Sequence, residues 1–131
     1  MVKAVSIEKE LAGLSMLDGR TAETSEADAE AAFATLASFG SGSIYAGSFA
    51  GESPWERHNA GDELVQILKG ATRLTIIAID GAEHVLDMKA GMLTVVPRGC
   101  WHRFQAPDGV TVLTATPLPT DHSATDPRTK R

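Results

Sequence analysis

The stretch Gly91-Met-Leu-Thr-Val-Val-Pro97-Arg-Gly99-Cys-Trp-His102 constrains this chain more than any other. A glycine is followed after five residues by Pro97-x-Gly99, and after two more by His102. Gly99 can enter backbone conformations closed to residues that carry a Cβ. Pro97 fixes its own φ and stiffens the approach to the turn. The expected product is a rigid corner that delivers one imidazole onto the strand that follows. Imidazole is the commonest metal-ligating side chain, so the question is what else converges on His102.

The sequence around this corner reads as strands. Runs rich in β-branched and apolar residues lie at 43–50, 54–59, 63–69, 71–79, 83–89, 93–96, 101–106 and 110–117, between Gly, Pro and Asp punctuation. Asp80-Gly81 between two such runs predicts a two-residue hairpin. Short strands at regular spacing, without alternating helices, predict an all-β sandwich or barrel over 42–118 and argue against a parallel α/β sheet. Residues 1–41 form an extension to it. There Ser25-Glu-Ala-Asp28 resembles a capping box and predicts a short helix near 26–37. Leu11, Leu14, Met16 and Leu17 fit either a turn of helix or an edge strand. Residues 119–131 are polar and without hydrophobic periodicity, and read as a loose tail.

At 131 residues the chain is one domain with room for a real core. No apolar run approaches the roughly 18 residues of a membrane span, and the first ten residues contain no signal-peptide core. The net charge of −5, without a basic stripe interleaved with aromatics, argues against nucleic acid as a partner. A single cysteine, Cys100, excludes an internal disulfide and fits the cytoplasm.

A second constellation lies upstream: Trp55-Glu56-Arg57-His58-Asn-Ala-Gly-Asp62-Glu63, running on to Gly70. Side chains at i and i+2 of a strand share a face. Glu56 and His58 therefore point the same way if 54–59 is extended. Ala60-Gly61 permits a turn, after which Glu63 can face back toward His58. Val65 and Ile67 share the face of Glu63 and would give an apolar floor, while Phe104 shares the face of His102. Trp55 and Trp101 have the opposite parity, which predicts an outer face, at a subunit interface or packed under the N-terminal segment.

These two stretches together resemble the two sequence motifs of the cupin superfamily, here a small single-domain cupin of the conserved-barrel type. The second motif matches from Gly91 through Pro97 and Gly99 to His102, and departs only at Ala106, where the family has Asn. The first matches at Glu63, the six-residue spacer and Gly70, but holds one histidine where the family has His-x-His. A four-residue spacer before Glu63 makes that pair Glu56 and His58. A three-residue spacer makes it Arg57 and Asn59, and arginine cannot ligate a metal.

The resemblance implies a double-stranded β-helix with a pocket at one mouth, a homodimer, and a divalent metal held by Glu56, His58, Glu63 and His102. Two imidazoles and two carboxylates would leave such a centre near neutral, against about +1 for three imidazoles and one carboxylate. Nitrogen and oxygen donors together suit Fe, Mn, Ni or Zn. The function expected is a metal-dependent enzyme on a small organic molecule, of oxygenase or isomerase type. The alternative is a non-catalytic module that binds or senses a small ligand. No spare acid–base residue is evident, since no lysine lies near a motif and Tyr45 sits on an early strand. His84 and His122 have no partner in sequence, and Cys100 reads as a small buried hydrophobe.

Overall fold

The computed structural model describes residues 2–129. Two short helices, α1 (Ile7–Ala12) and α2 (Glu26–Ala31), flank the first strand, β1 (Leu17–Arg20). Eight strands follow: β2 (Phe33–Phe39), β3 (Gly42–Glu52), β4 (Trp55–His58), β5 (Glu63–Ile77), β6 (Glu83–Lys89), β7 (Leu93–Val96), β8 (Trp101–Pro117) and β9 (Thr120–Ser123). All belong to one nine-stranded mixed sheet, with β1 parallel to β3. The fold is all-β, as expected.

β8 organises the sheet. Along one side it pairs antiparallel with β5, from Leu64↔Ala115 to Ile77↔Trp101. Along the other it pairs with β3, and with β4 at Glu56↔His102. β6 and β7 add to β5, and β2 adds to β3. The punctuation at Gly70 and at Pro107-Asp-Gly109 suggested two strands on each side, yet β5 and β8 run on through it. Register shifts near Gly70 mark β-bulges, which bend a strand without ending its pairing. Gly70 has φ +72°, and a Cβ there would collide with the carbonyl oxygen of Gly109. The bulge also changes parity: Val65 and Ile67 are buried before it, Leu74 and Ile76 after it.

Three local expectations change. The helix expected over 26–37 stops at Ala31, although Ser25 caps it by accepting from the Asp28 N–H at 3.1 Å. Residues 33–39 instead pair along β3, which brings Phe33 to 6.4 Å from the Phe49 ring. Tertiary pairing overrides the local preference of this alanine-rich run. The Asp80-Gly81 hairpin is one residue longer than expected: the N–H of Ala78 donates to Ala82 and that of Gly81 to Ala78, both at 2.8 Å. Residues 120–123, read as tail, form β9 on β4, with His58↔Thr120 and Glu56↔His122 in register. Their polar sequence carries no apolar alternation to announce a strand.

The core is one cluster centred on Phe49, Val65, Ile67, Leu74, Phe104 and Val112. Cys100 belongs to it, as a buried hydrophobe should.

Candidate metal centre

The corner at 97–99 ties both motifs together. Gly99 adopts φ +77°. Its N–H donates to the carbonyl of His58 at 2.9 Å, and the Cys100 N–H closes the turn on Pro97 at 3.1 Å. The Arg98 N–H donates to Asp62 Oδ1 at 2.8 Å, beside Glu63. β4 therefore ends with His58, β5 begins with Glu63, and β8 starts just before His102, all about one corner.

These three side chains meet. Glu63 Oε1 lies 3.1 Å from His102 Nε2, and Glu63 Oε2 lies 3.3 Å from His58 Nε2. One ligand atom from each falls within 4.8 Å of the others, and all three residues are buried. The supporting contacts turn the same atoms inward. His102 Nδ1 donates to the Cys100 carbonyl at 3.1 Å, which leaves Nε2 of the neutral ring with its lone pair toward Glu63. His58 Nδ1 meets the Thr120 hydroxyl at 3.0 Å. Thr116 donates to Glu63 Oε2 at 2.6 Å, and Thr114 meets Thr116 at 2.8 Å.

Despite their closeness, His58 Nε2, Glu63 Oε1 and His102 Nε2 are buried without a hydrogen-bond partner. Buried polar atoms are nearly always satisfied, so three orphans converging on one point fit a metal ion. Burial pushes the Glu63 carboxyl up, but contact with His102 and His58 outweighs it and holds the group down at about 2. Burial pushes His102 down, but the Glu63 carboxylate outweighs it and holds the imidazolium above its usual value.

Glu56 stands apart from this trio. It lines the same cavity, but its Oε2 lies 3.4 Å from His122 Nε2, and His122 Nδ1 lies 3.5 Å from Glu26. Contact with Glu56 raises the His122 pKa. Arg57 and Asn59, the pair of the other register, both bind Asp121 on β9, at 2.8 and 2.9 Å. Arg57 also covers the Trp101 ring at 4.5 Å.

The cavity holds about 360 Å³ and opens between α2 and the sheet. Phe104 lines it; Val65 and Ile67 lie in the core cluster and do not reach its wall. Trp55 is only 3% exposed, beneath Arg103 and Arg128, so it offers no bare face for a subunit interface. The lining residues that escaped the sequence reading include Arg20, Tyr45 and His122, and the threonines Thr114, Thr116 and Thr120. Strand parity could have placed Tyr45, because it shares a face with Phe49. Nothing in the sequence marks Arg20 or His122, because their positions depend on where β1 and β9 dock.

Fold and site together define an all-β barrel with a candidate metal centre beside a small cavity. The cupin-domain profile matches residues 49–115, just over half of the chain. The chain belongs to the cupin family. Solved structures with the same fold include a hydroquinone 1,2-dioxygenase in complex with Cd²⁺ and 4-hydroxybenzonitrile, at 20% identity and TM-score 0.52, covering 59% of this chain and 58% of that one. An oxalate oxidase in complex with glycolate aligns at 19% identity and TM-score 0.55, over 61% of this chain and 45% of that one. The oxalate decarboxylase of Bacillus subtilis, with its Mn(II) centres, aligns at 16% identity and TM-score 0.57, over 61% and 23%. At these identities the likeness is one of fold. The chain spans less than two thirds of each of these neighbours. No curated protein matches it significantly. Among the described residues, no helix is long and apolar enough to cross a membrane.

Proposed function

We propose that this chain is a metal-dependent cupin enzyme that holds a divalent transition metal through His58, Glu63 and His102. It acts on a small organic molecule in the adjoining cavity. The observation that carries this reading is the convergence of three buried ligand atoms without hydrogen-bond partners. Two imidazoles and one carboxylate are the donor set of many non-haem iron oxygenases, which favours an oxygenase over an isomerase. Glu56 stays with His122 in this proposal. The centre then carries about +1 instead of about 0, and it attracts an anionic substrate more strongly.

When bound, the metal would supply Lewis acidity and, if redox-active, electron exchange with substrate or dioxygen. The chain's own residues do the rest. Thr116, itself paired with Thr114, holds the Glu63 carboxylate, and the Cys100 carbonyl holds the His102 ring. Phe33, Phe49 and Phe104 give the cavity an aromatic wall among mostly polar lining residues. Tyr45 and His122 bring a phenol and an imidazole to the cavity, positions from which a proton can be held or moved.

The test is elemental analysis for Fe, Mn, Ni and Zn on protein purified without chelator, then oxygen uptake by the loaded protein with catechols, β-diketones and thiols. A stoichiometric metal that is lost in His58→Ala and His102→Ala supports the site. Its absence from the parent protein overturns it. Metal without turnover leaves a ligand-binding module. A homodimer is part of the proposal, supported by Leu93 and Val95, which leave β7 60% and 49% exposed. Light scattering checks it.

A further inference from the structure

Arg20 is a buried cation in the cavity that forms no ion pair among the described residues. β1 pairs with β3 at Arg20↔Gly51, which sets the guanidinium over the Phe49 ring, 4.6 Å from its centroid. The residue is 8% exposed, and its Nε has no hydrogen-bond partner. Among the described residues it forms no ion pair, and Glu56, whose charge it feels, is held by His122. Arg20 and the candidate metal ligands stand on one aromatic wall. Phe49 meets Phe104 edge-on at 5.9 Å, and Phe104 meets the His102 ring edge-on at 6.4 Å.

Glu26, Glu30, Glu56 and Glu63 also line the cavity, yet among the described residues none of them forms an ion pair with Arg20. A buried guanidinium left without a paired carboxylate is costly, and its fork of donors matches the two oxygens of a carboxylate. No lysine lines the cavity among the described residues. One fixed cation suits a monoanion better than a phosphate, which calls for several donors. The volume, about 360 Å³, is at the small end for small-molecule pockets.

We propose that Arg20 recognises the carboxylate of a small acid whose apolar body lies along Phe49 and Phe104. This names the substrate class for the function proposed above. It rests on that reading for the chemistry performed, and on Arg20 alone for binding.

The experiment is calorimetric titration of chelator-treated protein with benzoate and hexanoate, and with benzamide and hexanamide as neutral isosteres. At least one acid binds the parent protein, and its amide binds far more weakly. Arg20→Gln weakens the acid by about ten- to a hundredfold, the range of a hydrogen bond to a charged group. Failure of both acids to bind, amides that bind equally well, or an Arg20→Gln variant with unchanged affinity each overturns the proposal. If Arg20→Gln loses its native circular dichroism, Arg20→Lys decides. It keeps the charge but loses the fork, so several-fold weaker acid binding is expected and unchanged affinity overturns the proposal. Metal content is measured in parallel on protein purified without chelator. Acid binding without metal sinks the metal reading and leaves this one standing; metal without acid binding does the reverse.

Discussion

The N–H of Gly99 donates to the carbonyl of His58 across 2.9 Å, so the turn inside one motif is tied to the histidine of the other. The imidazoles of His58 and His102 are thereby fixed relative to each other through backbone, and their ring centroids lie 5.2 Å apart. Side-chain packing alone would hold them less firmly.

Gly99 and Gly70 test the backbone separately. Both have positive φ, at 77° and 72°. A Cβ on Gly99 would make only ordinary contacts at 3.7 Å, whereas one on Gly70 would strike the Gly109 carbonyl. Gly99→Ala should cost about 1–2 kcal/mol, the ordinary cost of a left-handed conformation for an L-residue. Gly70→Ala should cost distinctly more, because bent backbone must also move. Urea denaturation of the two variants gives the comparison, and equal costs would contradict the steric account of the bulge.

Metal content should separate the two carboxylates. Glu63→Gln removes the charged donor between His58 and His102 and should abolish stoichiometric binding. Glu56→Gln should retain it, because that carboxylate faces His122. Elemental analysis of both variants reads the difference. Loss of metal from Glu56→Gln would restore Glu56 as a ligand.

Thr116 should matter without touching the metal. Its hydroxyl donates to Glu63 Oε2 at 2.6 Å in a site where Thr116 itself is 7% exposed. Thr116→Val keeps the shape and loses the donor. Metal affinity should fall about 10–100-fold, as for other partners of metal ligands, and metal-free stability by about 1.5–3 kcal/mol. Competition with a chromophoric chelator and urea denaturation measure the two effects.

The pH dependence of the metal-free protein should show two limbs. The Glu63 carboxyl is held at about 2 instead of 4.5, so its contribution is present above 4.5 and is lost as pH falls toward about 2. His102 is held above 6.5, so its contribution is complete below 6.5 and is lost as pH rises through the raised value. Between 4.5 and 6.5 both contributions operate. Metal requires the deprotonated imidazole and releases its proton, so loading should move the optimum to higher pH. Thermal unfolding across pH, with and without zinc, follows that movement; a fixed optimum would count against His102 as a ligand.

Much of the candidate site was legible because its signals are local. The Pro97-x-Gly99 corner announces itself, since only particular residues tolerate its backbone. Strand parity placed Glu56 with His58, and His102 with Phe104, since alternation is intrinsic to an extended chain. Glu56 shows the limit of parity. It faces the cavity as expected, but its partner there is a histidine from a strand that the sequence did not reveal.

The sequence by itself determined the all-β class, the two motifs and the faces that His58, Glu63 and His102 present. These follow from backbone allowances and period-two patterning, which act over a few residues. Only the tertiary structure decided that residues 33–39 leave the helix for β2, that 120–123 become β9, and that Arg20 enters the cavity. In each case a free strand edge elsewhere in the chain supplied the hydrogen bonds. An edge can select a polar or alanine-rich segment that carries no periodic signal of its own. Arg20, Phe33, Thr120 and His122 of the cavity lining come from such segments.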